Sequence, residues 1–342
     1  MIRIIIADDS PSTRELLKTL VTSDKNLEVV AMANNGAEAI ALTKEHRPDL
    51  VLMDIQMPGV DGIQAAREIM KKNPTAIVMI SAIDDVRNSQ LALDAFEAGV
   101  LAVLNKPPGP GSQEYSGAAT HIINTIKAIA TVKPRAARGE ISAETKSRAG
   151  MKPTKLVAIA SSVGGPAALQ TIFSNLPADF AVPIVLVQHI AVGFADSLAK
   201  WLQHSSLLKI RIAVDGETLE AATVYIAPDR SHVKVRDNKI ILSVEAPVKG
   251  FLPSATVLFN SAAEAYGENL TAVILTGMGD DGVEGLKTVK EKGGLILAQD
   301  QATSVVFGMN GEAVARGLVD NVLPIEKIAQ ALIALPKSPV RK

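Results

Sequence analysis

The chain contains no cysteine. Disulfides, thiolate metal sites and a thiol nucleophile are therefore excluded, and any covalent catalysis must use another group. Long apolar runs are missing too. The opening Met1-Ile-Arg-Ile-Ile-Ile breaks at Asp8 and Asp9, too short for a secretion signal, and no other run approaches the roughly 18 residues of a bilayer span. A cytoplasmic protein without membrane insertion is expected. There is no basic surplus: 35 Lys and Arg face 36 Asp and Glu, for a net charge of −1. That balance disfavours a nucleic-acid backbone or an anionic membrane as partner, and favours a neutral or protein one. Nothing calls for an obligate dimer, so a monomer is expected.

What is present suffices to fold. The composition is 47% apolar and 21% charged, and 342 residues exceed what one core usually holds, so two domains are expected. Apolar bursts of strand length alternate with helical patterns at Ile2–Ala7, Leu27–Met32, Leu50–Met53, Ala76–Ile80 and Val100–Leu104. Unbroken apolar strands between amphipathic helices imply a parallel sheet covered on both faces. From 131 to 153 the composition turns polar and basic, which marks a linker. Strands resume at Leu156–Ala160, Ile184–Val187, Thr223–Ala227, Thr271–Leu275 and Leu295–Ala298, with a hairpin expected at Val233–Val235 and Ile240–Val244. The expectation is α/β throughout: doubly wound parallel-sheet domains at 1–130 and 154–342, the first flavodoxin-like and the second Rossmann-like.

Open parallel sheets place sites at the carboxyl ends of their strands. In the first domain those positions hold Asp8, Asp9, Asp54, Ser81 and Lys106. Carboxylates, a hydroxyl and an ammonium together suit binding Mg²⁺ through oxygen and steadying a phosphoryl group on Asp54, with Lys106 and Ser81 as its partners. Ala7-Asp8-Asp9-Ser10, Asp54-Ile-Gln-Met-Pro-Gly-Val-Asp-Gly62, Ser81-Ala82 and Lys106-Pro107 resemble the two-component receiver family. That resemblance implies phosphorylation of Asp54 by a histidine kinase, with Asp9 and Asp54 as metal ligands and Asp8 close behind. Val103 stands where receivers often carry an aromatic switch residue.

In the second domain, Ile159-Ala-Ser-Ser-Val-Gly-Gly-Pro166 runs from strand through a tight turn into a helix. Such a turn can present a serine hydroxyl, with Ser162 the candidate and Ser161 its rival. Small Gly164 and Gly165 let substrate approach backbone N–H groups suited to an oxyanion. The same turn could cradle a phosphate, but the full Gly-x-Gly-x-x-Gly spacing and a Walker lysine are absent. Of five histidines, His189 follows a neighbouring strand, His232 sits in a loop that could line the cleft, and His204 closes a helical stretch beside Trp201. An orienting acid is offered by Asp280 or Asp281, between which the local pattern does not choose.

Ser162-Val-Gly-Gly-Pro, Val187-Gln-His189, Tyr225-Ile-Ala-Pro228, Leu275-Thr-Gly-Met-Gly-Asp-Asp-Gly282 and Val305-Val-Phe-Gly-Met309 resemble the chemotaxis methylesterase catalytic domain. The resemblance implies Ser162 as nucleophile, His189 as base and Asp281 as orienting acid, with Met278 beside the cleft. It also implies hydrolysis of glutamate γ-methyl esters on methylated chemoreceptors, with no cofactor for the esterase step. Glutamine side chains present the same acyl centre, so receptor deamidation is expected as a second activity, and coupling a receiver to this site suggests an inhibited ground state relieved by phosphorylation at Asp54. The chain departs from that family's usual pattern at Ala160-Ser161-Ser162-Val163, where Val163 replaces a hydroxyl residue after Ser162 and the turn is bulkier, and at Gly250-Phe-Leu-Pro-Ser-Ala-Thr. A receiver-controlled interaction protein with an inactive esterase fold, and a receiver-linked nucleotide-binding domain, are the competing readings. A transcription factor lacks its basic recognition helix.

Overall fold

The computed structural model describes residues 1–82, 94–95, 97–112, 115–130 and 153–336. The expected linker, 131–153, falls outside them except for Pro153. The chain forms two compact units.

In the N-terminal unit, β1 (Ile2–Ala7), β2 (Leu27–Ala33), β3 (Leu50–Asp54), β4 (Ala76–Ser81) and β5 (Ala102–Asn105) form one parallel sheet of order β2-β1-β3-β4-β5. This is the flavodoxin-like doubly wound order. β3 and β4 are buried at every residue, as strands covered on both faces must be. The helices α1 (Pro11–Thr22), α2 (Gly36–His46), α3 (Gly62–Lys72) and α4 (Tyr115–Ala130) start where the sequence supplies caps. Ser10 accepts from Thr13 N ahead of Pro11, Asn35 accepts from Glu38 N, and Asp61 accepts from Gln64 N. Gly62 lies on the backbone of Asp54, where a Cβ would overlap the Asp54 carbonyl oxygen.

The C-terminal unit is built on seven strands, β6 (Leu156–Ser161), β7 (Ile184–Gln188), β8 (Lys209–Ile212), β9 (Thr223–Ile226), β12 (Leu270–Ile274), β13 (Leu295–Gln299) and β14 (Asn321–Leu323). All neighbours pair in parallel in the order β14-β13-β12-β6-β7-β9-β8. The chain runs outward from β6 to one side and then, from β12, to the other, the Rossmann-like winding that the sequence predicts. The switch point lies between β6 and β12, whose carboxyl ends are the expected place for a site. The predicted hairpin forms as β10 (His232–Arg236) and β11 (Lys239–Ser243), turning at Asp237 and Asn238, both in the left-handed region. β8 and β14 are additional to the predicted strands. β8 is an edge strand of alternating Lys-Ile-Arg-Ile, and β14 has three residues, so neither shows an unbroken apolar run.

Around the sheet pack α5 (Gly165–Phe173), α6 (Ala195–Ser205), α7 (Ala255–Tyr266), α8 (Val283–Glu291), α9 (Met309–Ala315) and α10 (Ile325–Ile333). Trp201 is buried in α6, and His204 sits exposed near the end of that helix. Phe259 of α7 is fully buried in the core cluster with Leu258, Val283 and Leu286. It also meets the backbone of α8: a Cβ on Gly285 would lie 2.7 Å from Phe259 Cβ, and one on Gly282 3.1 Å from its ring. Phe259→Ala is expected to destabilise this unit by about 3–5 kcal/mol, the usual range for emptying a buried aromatic site. Urea unfolding followed by tryptophan fluorescence at Trp201 reads that loss, and a midpoint unchanged from the wild type would contradict the packing described.

Candidate active site

Ser162 and His189 each follow the last residue of adjacent strands. Ser161 of β6 pairs in register with Gln188 of β7, and His189 N donates to Ser161 O at 2.9 Å. Neighbouring strands lie about 4.8 Å apart, so the register alone sets the two side by side. Ser162 is 5% exposed, and its N–H donates to Thr276 O at 3.0 Å. Ser161, the rival hydroxyl, is fully buried and donates to Gln188 Oε1 at 2.6 Å.

Asp281 arrives from the loop after β12 and meets His189, with Nε2 2.9 Å from Oδ2. A carboxylate accepts, so Nε2 carries the proton and Nδ1 holds the lone pair. Nδ1 is buried and has no hydrogen-bond partner among the described residues. Phe251 stacks on the imidazole, centroids 4.2 Å apart and planes 14° off parallel. Asp280, the alternative acid, turns away to pair with Lys249 at 2.6 Å.

Asp281 itself is fully buried. Its Oδ1 accepts from Ser254 Oγ at 2.7 Å, Thr256 Oγ1 at 2.9 Å, Thr256 N at 3.1 Å and Gly282 N at 2.9 Å, while Oδ2 also accepts from Ala255 N at 2.7 Å. The carboxylate thus sits on the N-terminus of α7, whose first amides and dipole favour an anion. Burial by itself would raise its pKa. The bonds from His189, Ser254 and Ala255 outweigh burial and hold it far below the usual carboxylate range.

His232 does not line the cleft as expected. It opens β10, is fully buried, and accepts Ser254 N–H on Nδ1 at 3.1 Å with Nε2 3.1 Å from Ala246 O. Its ring satisfies backbone groups behind Asp281. The glycines divide their tasks. Gly164 has φ +75° and a Cβ there would lie 2.5 Å from Val305; Gly165 is packed on Gln188 and its N–H is committed to Ser162 O at 2.9 Å. Gly165 is therefore no oxyanion donor. Among the described residues the N–H groups of Val163, Gly164 and Met278 donate to nothing, and Met278 is half-buried in the glycine loop that leads to Asp281. Gln188, Phe251, Ser254, Thr256 and Thr276 were missed by sequence reasoning. The one signal was a polar residue ending an apolar strand, as Gln188 does.

In the N-terminal unit, Asp8, Asp9 and Asp54 bring carboxylate oxygens within 4.8 Å of one another. Lys106 Nζ lies 2.7 Å from Asp54 Oδ2 and 2.9 Å from Asp8 Oδ2. Asp8 and Asp54 are buried and Asp9 is exposed. Burial is the largest cause that pushes Asp54 up to about 6, against the opposing pull of Lys106 and with a further push from Asp8. Ser81 Oγ donates to Ala82 O at 3.1 Å, at the strand end beside Asn105 and Lys106. Three carboxylates against one ammonium leave an excess of negative charge, and Asp54 Oδ1 is buried without a partner among the described residues. That donor set of hard oxygens fits Mg²⁺.

The fold and site define a two-unit α/β protein with an acidic pocket ion-paired to a lysine in one unit and a Ser-His-Asp grouping at the switch point of the other. The response regulator receiver domain matches residues 4–112, and CheB methylesterase matches residues 157–332. A protein-glutamate methylesterase/protein-glutamine glutaminase of Myxococcus xanthus is 44% identical over 97% of this chain and 96% of its own. One of Nitrosospira multiformis is 41% identical over 98% of this chain and 97% of its own. The crystal structure of the Thermotoga maritima CheB methylesterase catalytic domain is 41% identical, covers 53% of this chain and 98% of its own, and superposes with a TM-score of 0.51. The chain belongs to the protein-glutamate methylesterase/protein-glutamine glutaminase family, a receiver domain followed by a CheB methylesterase domain.

The depressed pKa of Asp281 has a definite sign in stability. A carboxylate lowered in the folded state stabilises above its unfolded value, near 3.9, and that contribution is lost as pH falls through the folded value. The stability difference between the wild type and Asp281→Asn, from urea titrations, is expected to stay constant from about pH 7 to 5 and shrink below about pH 4. A difference that is flat down to pH 3 would contradict the buried-anion account.

Proposed function

We propose that the chain hydrolyses glutamate γ-methyl esters on methyl-accepting chemoreceptors and deamidates receptor glutamines, under control of phosphorylation at Asp54 by a sensor histidine kinase. In this reading Ser162 is the nucleophile, His189 the base and acid, and Asp281 the residue that orients and charges the imidazole. The observation that carries it is the His189 Nε2 to Asp281 Oδ2 bond at 2.9 Å, which leaves the buried Nδ1 without a partner among the described residues, on the strand end next to the one that carries Ser162.

His189 Nδ1 takes the Ser162 proton as Oγ attacks the ester carbonyl, and the ring becomes an imidazolium facing Asp281. Asp281 stays ionised throughout, because its other bonds already hold it as an anion. The free amides of Val163 and Met278 are suited to receive the oxyanion. Collapse expels methanol, which leaves with the proton from Nδ1. Water then adds to the acyl-enzyme with Nδ1 as base, releasing the glutamate carboxylate and restoring Ser162. A glutamine side chain presents the same acyl centre, with ammonia as the leaving group. Phe251 covers one face of the ring and limits the water that reaches it. These steps use side chains and backbone alone, with no cofactor, and the chain works as a monomer in the cytoplasm.

In the receiver domain, Asp8, Asp9 and Asp54 would hold Mg²⁺, which neutralises charge on the incoming phosphoryl oxygens. Lys106 is placed to pair with a phosphoryl group on Asp54, and Ser81 to donate to it once its hydroxyl leaves Ala82 O.

Methanol release from a methylated receptor cytoplasmic fragment tests both halves. Ser162→Ala is expected to lower the rate by about 10⁴-fold or more, the scale seen when a nucleophile is removed from such a set. A small phosphodonor with Mg²⁺ is expected to raise the wild-type rate and leave Asp54→Asn unchanged. Release that persists in Ser162→Ala would refute the nucleophile; equal stimulation of Asp54→Asn would refute the phosphoacceptor.

A further inference from the structure

Gln188 ends β7 with its side chain 5% exposed, between the two strand ends that carry Ser162 and His189. Its Nε2 donates to Ser162 O at 2.8 Å and to His189 O at 2.7 Å, and its Oε1 accepts from Ser161 Oγ at 2.6 Å. Both amide hydrogens and the carbonyl oxygen are used, which is unusual economy for a buried side chain and leaves one geometry for all three partners. Gly165 packs so closely on Oε1 that a Cβ there would overlap it.

We propose that Gln188 is a positioning residue that sets the separation of Ser162 and His189, and that, by engaging Ser161, it leaves Ser162 as the one reactive hydroxyl of the pair. The inference rests on the function proposed above. The strand ladder fixes Ser161 against Gln188, but Ser162 and His189 lie one residue beyond it. Strand spacing of about 4.8 Å sets the two backbones side by side, while the roughly 3 Å approach of side-chain atoms that proton transfer needs depends on how the residues beyond the ladder are held. Gln188 extends the pairing by one rung, tying the carbonyls of both residues to a single rigid amide. A leucine or methionine would fill the same volume and leave the Ser161 hydroxyl and two carbonyls without this partner. The choice of a polar side chain at the end of the otherwise apolar Ile184-Val-Leu-Val run is thereby explained.

The test uses the full chain, a methylated receptor fragment for steady-state methanol release, and an organophosphonate for labelling Ser162, with circular dichroism to report folding. Gln188→Leu and Gly165→Ala are expected to lower kcat by about 100-fold, the cost of a displacement near 1 Å, with KM within about 3-fold and labelling slowed in parallel. The double variant is expected to be no slower than Gln188→Leu, because both changes displace the same amide. Ser161→Ala keeps both carbonyl bonds and is expected to lose less than about 10-fold. Gln188→Glu presents a second oxygen to two carbonyls unless protonated, so its kcat deficit should deepen as pH rises, a trend that mere loosening of the fold would not produce. It is nearly isosteric and decides the matter if Gln188→Leu does not fold. A folded Gln188→Leu or Gln188→Glu with wild-type kcat and labelling, or a loss confined to KM, would overturn the inference. Methanol release that survives Ser162→Ala would instead overturn the function on which it rests.

Discussion

The fully buried carboxylate of Asp281 is the constraint on which the catalytic half of the molecule is organised. An ion without exposed surface is tolerated only where donors replace its water, and α7 supplies them from its first turn and cap. That requirement fixes where α7 begins, why Ser254 and Thr256 carry hydroxyls, and why His232 is buried behind them holding Ser254 N. It also fixes the imidazole, since the one remaining acceptor direction on Oδ2 faces His189 Nε2. With the acid so well solvated by protein, it orients the ring and answers its charge without competing for its proton.

The two units set carboxylates in opposite environments. Asp54 has burial with one lysine and two acidic neighbours, so its charge is under-compensated and its pKa rises to about 6. Asp281 is also buried, but the bond and charge of His189, with a shell of neutral donors, outweigh that burial and its pKa falls. The first arrangement suits a group that must gain a cation and a phosphoryl; the second suits one whose charge must not change during turnover.

Much of this was legible in the sequence because strand ends in parallel sheets are readable as the residues that follow apolar runs. Asp8, Asp54, Lys106, Ser162 and His189 all follow from that rule, while the doubly wound parallel sheets were legible in the alternation of unbroken apolar strands with amphipathic helices. What escaped had weaker local signals. β8 alternates polar and apolar residues at an edge, and β14 is three residues long. His232 was misplaced because a histidine after Pro228-Asp-Arg-Ser reads as loop, whereas it opens a strand whose partner residue, Ser243, is eleven positions away. Asp280 and Asp281 are equivalent in sequence. The local pattern does not separate them; the family resemblance points to Asp281, and physically it is the packing of α7 that does so, a contact between segments more than twenty residues apart.

The departures from the family's usual pattern make sense on the same footing. Val163 stands where a hydroxyl is customary, yet the turn is held through its backbone: Thr276 Oγ1 donates to Val163 O at 2.9 Å, Gly164 is packed on Val305, and Gly165 on Gln188. Thr276 Oγ1 also accepts Val306 N at 2.9 Å, so one hydroxyl joins the Ser162 turn to the segment that covers it. Gln299 Oε1 in turn accepts Thr276 N at 2.9 Å. Two buried glutamines, each ending a strand, thus brace the strand ends on either side of the switch point. Because these ties run through carbonyls, amides and a neighbouring hydroxyl, the turn keeps its shape without a hydroxyl at 163, and the Val163 side chain is buried instead.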